Sequence, residues 1–337
     1  MTTTAPRSDQ LWLDSLAALI PVPAPYRRAD QSRATVSTTL RCDDRTLDLL
    51  IREGLPCEGP EGAERFDGHD IYNLGLYSGT RRSLPEYAAH FVTRLARADP
   101  ATWLRPLDWT LRLRAGCGDP ARCAGEDRWR VVKPVPEAYG GHVRQLSGHP
   151  PPEVTATSLE VTGAPGPIEL TWRLTTAGVR RTLLSGRLRE LMRWLVEDFR
   201  FQSLPFELAS DTARLRQLGT ADCVGGSLLM EEECRRLGIP AQARRTVLLG
   251  VMSFLNHGRL ECVDEDGVEK ALDPGLCSFA RLDGTDRPDF EEFCHGSTSN
   301  RLIPLAGPPR PALATHGPDG GCPAEVDTRV SREDRTP

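Results

Sequence analysis

Three residue types in one order bound the chemistry this chain can do: Cys223, then His257, then Asp273. A thiol becomes an effective nucleophile when a base takes its proton, and the base works best when a third group fixes its tautomer. Cys223 stands near the head of a stretch, residues 220–237, that reads as one helix. Thr220 and Asp222 are N-cap candidates, and Leu228, Leu229 and Leu237 supply apolar positions. Arg235 and Arg236 suit the last turn, Gly238 a C-terminal stop, and Pro240 prevents continuation. The free N–H groups and positive end of a helix lower the pKa of a thiol placed there and can later hold an oxyanion.

After Gly238 the pattern changes to period two. Residues 241–251, 257–263 and 268–272 read as successive strands, and Asp266-Gly267 is a strong turn signal. A loop of Glu265, Asp266 and Gly267 pairs Asp264 with Val268 and puts His257 opposite Gly275. Asp273 is then its same-face diagonal neighbour, roughly 7–8 Å away between backbones, a gap two side chains can bridge. A slip of one residue would send the two side chains to opposite faces.

The rest of the chain supplies supporting elements. Residues 183–199 form the longest helical pattern, and a short helix over 210–218 leads into the cysteine helix. Residues 154–161 and 168–174 read as a hairpin, residues 107–113 as a strand, and the region from 116 to 152 as loop. Ser83-Leu-Pro-Glu86 is a capping box opening a helix to about Arg97; 43–53 and a segment after Ser8 read as further helices. Residues 56–82 are turn-rich and carry no secure assignment.

The set Ala221-Asp222-Cys223, Leu237 through Ala241, His257 with Glu261, and Leu272-Asp273-Pro274 resembles the core of the transglutaminase-like superfamily over about residues 180–280. The resemblance implies a papain-like fold and acyl transfer through a thioester, with Cys223 as nucleophile, His257 as general acid/base and Asp273 as its orienter. Gln217, six before Cys223, is similar in position to the oxyanion-hole glutamine of papain-like proteases. Members of the superfamily commonly carry an aromatic residue close after the histidine; this chain has Gly258-Arg259-Leu260.

Composition narrows the classes. The 337 residues are 39% hydrophobic and 26% charged, with a formal net charge of −5, which fits a globular protein and gives no electrostatic support for nucleic-acid binding. No secretory leader or membrane-length apolar run is read, so the ten cysteines are expected as cytoplasmic thiols. Cys234 is expected in the core. Cys117 and Cys123 could form a metal knuckle with Cys42, Cys57 or His142, but two tight pairs are lacking, so no metal and no cofactor is called for.

These readings together give an α+β chain: an N-terminal mixed region (1–150) shaping or covering the site, a transglutaminase-like core (151–285), and an extension (286–337) largely mobile after about 305. The expected function is amide-bond formation on a small-molecule or peptide substrate in a bacterial biosynthetic pathway. An amine would accept the acyl group from a small-molecule, peptide or carrier-protein-bound donor. The alternatives are a cysteine peptidase or amidase using water, and a non-catalytic binding module on the same fold.

Overall fold

Side-chain caps start most helices of the N-terminal layer in the computed structural model, which describes residues 7–117, 128–163, 166–249, 254–309, 312–317 and 322–333. The layer comprises α1 (Arg7–Ala17), β1 (Ala29–Ser32), α2 (Arg33–Leu40), α3 (Asp44–Arg52), β2 (Arg65–Asp67), α4 (Gly68–Leu76) and α5 (Leu84–Arg97). Ser32, Asp43, Asp67 and Ser83 each accept a backbone N–H at their helix starts, and Ser83 with Glu86 closes the capping box. Leu40, Leu47, Leu50, Phe66 and Leu74 form a small separate core. The unassigned stretch 56–82 thus contains a full helix, α4, whose Gly75 and Asn73 obscure its apolar periodicity.

A second layer is an antiparallel sheet of β3 (Leu107–Cys117), β4 (Trp129–Val132), β5 (His142–His149), β6 (Glu153–Val154), β7 (Ser158–Val161), β8 (Ile168–Thr176), β16 (Ala314–His316) and β17 (Cys322–Arg332). Among the described residues the order is β5-β8-β3-β17-β16-β4-β7-β6. Leu107, Trp109, Leu111 and Leu113 alternate inward along β3, as their spacing indicates.

Three sequence expectations are corrected here. β7 and β8 do not form a hairpin: β8 lies between β3 and β5, and β7 between β4 and β6, because alternation specifies a buried face and not which strand lies alongside. The region 116–152, read as loop, holds β4 and β5. The segment after 305, expected as largely mobile, contributes β16 and β17, and β17 pairs with β3 from Trp109 to Cys117. Its charged residues alternate with Val326, Thr328 and Val330, so a strand with one wet face looked like a solvated tail.

The third unit carries the site. It runs through α6 (Gly186–Asp198), β9 (Arg200–Phe201), α7 (Phe206–Ala209), α8 (Thr212–Leu218), β10 (Thr220–Ala221) and α9 (Cys223–Arg236). Then come β11 (Ala241–Leu249), β12 (Phe254–Val263), β13 (Glu269–Leu272), α10 (Pro274–Leu282), α11 (Pro288–Cys294), β14 (His295–Gly296) and β15 (Leu302–Pro304). The strands form an antiparallel sheet in the order β14-β13-β12-β11-β15. Leu188, Met192 and Leu195 of α6 meet Leu229, Met230 and Cys234 of α9 and Leu260 and Leu272 of the sheet. Fully burying each such side chain contributes roughly 1.5–3 kcal/mol, so the core fixes the cysteine helix firmly. The fold class is α+β with a helix-start cysteine packed on an antiparallel sheet. Among the described residues no helix is long and apolar enough to cross a membrane.

Candidate active site

Asp222 sets where α9 begins. Its side chain accepts the Gly225 N–H at 2.6 Å, which makes Cys223 the first helical residue. Part of Asp222's surface touches solvent, but protein atoms surround the carboxyl. Burial pushes it up to about 6 against the backbone N–H groups and the His257 charge that favour ionisation. Two glycines let this helix start press against its neighbours. A Cβ at Gly258 would stand 2.5 Å from the Cys223 carbonyl oxygen. One at Gly275 would stand 3.0 Å from the Cys223 Cβ and 3.1 Å from the His257 Cε1. Position 258 therefore has no room for a side chain, because the start of α9 occupies that space.

The strands then bring base and acid together. Leu260 pairs with Leu272 and Val263 with Glu269, the Asp264 N–H reaches the Val268 carbonyl, and Gly267 takes the left-handed conformation that the turn requires. The ladder ends at Leu272, and α10 then carries Gly275 against the His257 ring, where a Cβ would stand 3.1 Å from Cε1. His257 Nε2 lies 2.9 Å from both carboxylate oxygens of Asp273. With Nε2 committed to Asp273, Nδ1 is the ring nitrogen left to face Cys223, whose side chain packs beside the ring across Gly275. His257 and Asp273 are buried, at 4% and 2% exposure, while Cys223 keeps partial access to solvent.

Electrostatics favour a charged pair. Burial alone would lower the His257 pKa, but the Asp273 charge and hydrogen bond, with the Cys223 contact, raise it to about 10. Burial would raise Asp273, yet His257, Arg259 and the Leu276 N–H hold it below its ordinary value. Asp273 also caps α10, accepting the Leu276 N–H at 3.0 Å, so its carboxylate is fixed from two directions. An imidazolium held between a carboxylate and a sulfur stabilises a thiolate beside it.

The sequence reading missed three residues around the sulfur. Arg245 opposes Gly258 in the β11–β12 ladder; burial pushes its guanidinium down to about 10, while Cys223 acts in the opposite sense. Gln202 is fully buried: its N–H reaches the Ala221 carbonyl at 3.1 Å and its Oε1 accepts from Thr220 Oγ1 at 3.2 Å. Among the described residues its Nε2 has no partner, and Gln202 directly follows Phe201, which pairs with Ala221 two residues before Cys223. Tyr72 reaches in from α4: burial raises its hydroxyl and the Cys223 charge raises it further. Gln202 gave no signal in the sequence, being one of three polar residues among Phe199 to Leu204.

Gln217 is not at the site. It sits on the exposed face of α8, where its Oε1 accepts from Arg214 Nη1 at 2.9 Å. The spacing of six to Cys223 is spent on the end of α8 and on β10. Glu261 serves elsewhere as well, accepting from Tyr139 Oη and Arg244 Nε at 2.7 Å each. Cys234 is buried, and its thiol is pushed up to about 11 by burial and the carboxylates of Glu231 and Glu233. Cys123 lies outside the described residues. The remaining members of that sequence cluster, Cys42, Cys57, Cys117 and His142, form no metal-holding group among the described residues.

A solved structure of a candidate cysteine protease from Cytophaga hutchinsonii is similar to this chain, with a TM-score of 0.45 and 13% identity. The match covers 69% of this chain and 92% of that one. No protein-family model and no curated protein matches the sequence.

Proposed function

We propose that this protein is a cysteine-dependent acyltransferase of the transglutaminase-like kind. It would form an amide bond through an acyl-thioester on Cys223, working on a small-molecule or peptide substrate in a bacterial biosynthetic pathway in the cytoplasm. The observation that carries this is the His257 ring, held by Asp273 on one side and packed beside the helix-start Cys223 on the other.

In the first step the Cys223 thiolate attacks the donor carbonyl, and the negative charge that forms on oxygen meets the N–H groups at the head of α9. We assign the further donor, in place of Gln217, to Gln202 Nε2, which is buried and unpartnered among the described residues. The His257 proton goes to the leaving group as the tetrahedral intermediate collapses, leaving a thioester on Cys223 and a neutral imidazole. That imidazole then takes a proton from the incoming amine as nitrogen attacks the thioester, which releases the amide and restores the thiolate–imidazolium pair. Asp273 keeps the ring in one orientation throughout. Water in place of the amine would give hydrolysis by the same residues, and the partial access of Cys223 to solvent favours keeping this second reading.

The test is intact-mass trapping with p-nitrophenyl esters as activated donors. One acyl group should appear on wild-type protein, map to the Cys223 peptide and be absent from Cys223→Ala. Added amines should discharge it as amide faster than water discharges it as acid. Faster acid release would establish the hydrolytic reading, and no adduct on Cys223 would end both.

A further inference from the structure

An opening lies between the N-terminal layer and the segment that leads into α9. It is a cavity of about 530 Å³, walled by residues 26–31 and 67–72 on one side and 203–207 on the other. That volume falls in the range of small-molecule sites. Hydrogen bonds fix the two walls to one another. Asn73 Nδ2 donates to the Ser203 carbonyl at 2.9 Å, Ser203 N–H donates to Asn73 Oδ1 at 2.7 Å, and His69 Nδ1 lies 3.0 Å from Ser203 Oγ. Ser203 follows Gln202 directly, and Phe201 pairs with Ala221 two residues before Cys223. Tyr72 lines the cavity at this inner end and is the side chain that feels the Cys223 charge.

The chemistry of the walls is one-sided. Asp30, Asp67 and Glu207 line the space with a single guanidinium, Arg28; the buried Asp67 carboxylate already accepts the backbone N–H groups of Arg28, His69 and Asp70, so Asp30 and Glu207 are the carboxylates open to a ligand. Arg28 is already taken by Glu207 at 3.0 Å, an exposed pair at the rim. His69 adds no positive charge near neutrality, since burial lowers its pKa below the ordinary 6.5. Tyr26, Tyr72 and Phe206 supply aromatic surface, which attracts cations with its ring faces and packs flat apolar bodies.

We propose that this cavity binds a substrate carrying a cationic nitrogen group on an aromatic or flat apolar body. The cation would lie toward Asp30 and Glu207 and the reactive end toward Tyr72 and Cys223. This rests on the assignment of Cys223 as the acyl-carrying nucleophile and adds the class of molecule the site accepts.

The probes are tyramine, its neutral isostere 4-ethylphenol and the anion 3-(4-hydroxyphenyl)propanoate, titrated by calorimetry into the Cys223→Ala protein. Tyramine should bind about tenfold or more tighter than 4-ethylphenol, the anion should bind weakest, and high salt should narrow the gap. Asp30 is exposed, and its side-chain hydrogen bond is to the neighbouring Gln31, so Asp30→Asn should fold and cut the tyramine preference by at least about threefold. Glu207→Gln is the second variant, expected to shift the preference in the same direction. Equal binding of the three probes, or a preference unchanged in both variants, overturns the proposal. A separate readout is alkylation of wild-type Cys223 by iodoacetamide, which tyramine should slow. Fast alkylation without protection contradicts the cavity assignment alone. Alkylation of Cys223 no faster than that of Cys234 removes the acyl-transfer reading, while the charge preference in Cys223→Ala still decides the cavity.

Discussion

The two walls of the cleft are built on opposite plans. On the sheet side, Cys223, His257 and Asp273 come from one stretch of chain, and glycines hold them in contact. The polar atoms that join His257 to Asp273 are committed there: Nε2 to the carboxylate, and the carboxylate also to the Leu276 N–H. On the N-terminal side, α4 and the segment after β9 present groups that are buried without being used, above all Gln202 Nε2. The contrast teaches a division of labour. A satisfied network is rigid and pre-arranged for proton transfer, whereas an unpartnered buried donor costs roughly 1–3 kcal/mol and is retained where a ligand will meet it.

Substitutions can break that contrast, and their effects are ordered by size. Asp273→Asn should lower acylation by roughly 10³-fold or more, because the asparagine neither holds the imidazolium nor fixes its tautomer. The same variant alters pH dependence. The folded-state His257 pKa, raised from 6.5 to about 10, stabilises the protein fully below pH 6.5, and that contribution is lost as pH climbs toward 10. Wild-type unfolding free energy, followed with urea, should therefore decline over this window, and the decline should be smaller in Asp273→Asn. Gln202→Leu removes the unused donor without emptying the space. It should slow acylation by about 10²-fold, the cost of one oxyanion donor, and leave thermal stability near wild type. A loss of stability with no loss of rate would make Gln202 a packing residue.

Gly258→Ala probes the sheet side by volume alone. Its Cβ would meet the Cys223 carbonyl at 2.5 Å, so the helix start must retreat, at about 2 kcal/mol measured by denaturant unfolding. Cys223 alkylation should slow with it. Gln217→Ala should do nothing: an exposed side chain bonded to Arg214 lies outside both walls, and stability and rate should hold within about 0.5 kcal/mol.

This difference between the walls also decides what the sequence revealed. The sheet side is local: Asp266-Gly267 fixes a turn, the turn fixes register, and register sets His257 near Asp273, a chain of inference that needs about fifty residues. The start of α9 was equally legible from Asp222 and the Gly-x-Pro stop. The N-terminal side is non-local. Tyr72 lies about 150 residues before Cys223 on a helix whose pattern Gly75 and Asn73 blur, and Gln202 is hidden because a two-residue strand such as β9 has no periodicity to read. Gln217 illustrates the hazard of spacing alone, since six residues can be spent on a helix end and a short strand that carry the side chain away. The hairpin assigned to 154–174 failed for a related reason: alternation marks a buried face but not the neighbouring strand, and β17 enters beside β3 from the far end of the chain.

The most direct test of the central claim is the pH profile of Cys223 alkylation by iodoacetamide, read by peptide mass for wild type and Asp273→Asn. A thiolate stabilised by the Asp273-held imidazolium should make wild-type Cys223 label well ahead of the buried Cys234, whose thiol is pushed up to about 11. In Asp273→Asn the rise should move to higher pH. Superimposable profiles for the two proteins, or Cys223 rising together with Cys234, would contradict a Cys223–His257–Asp273 relay.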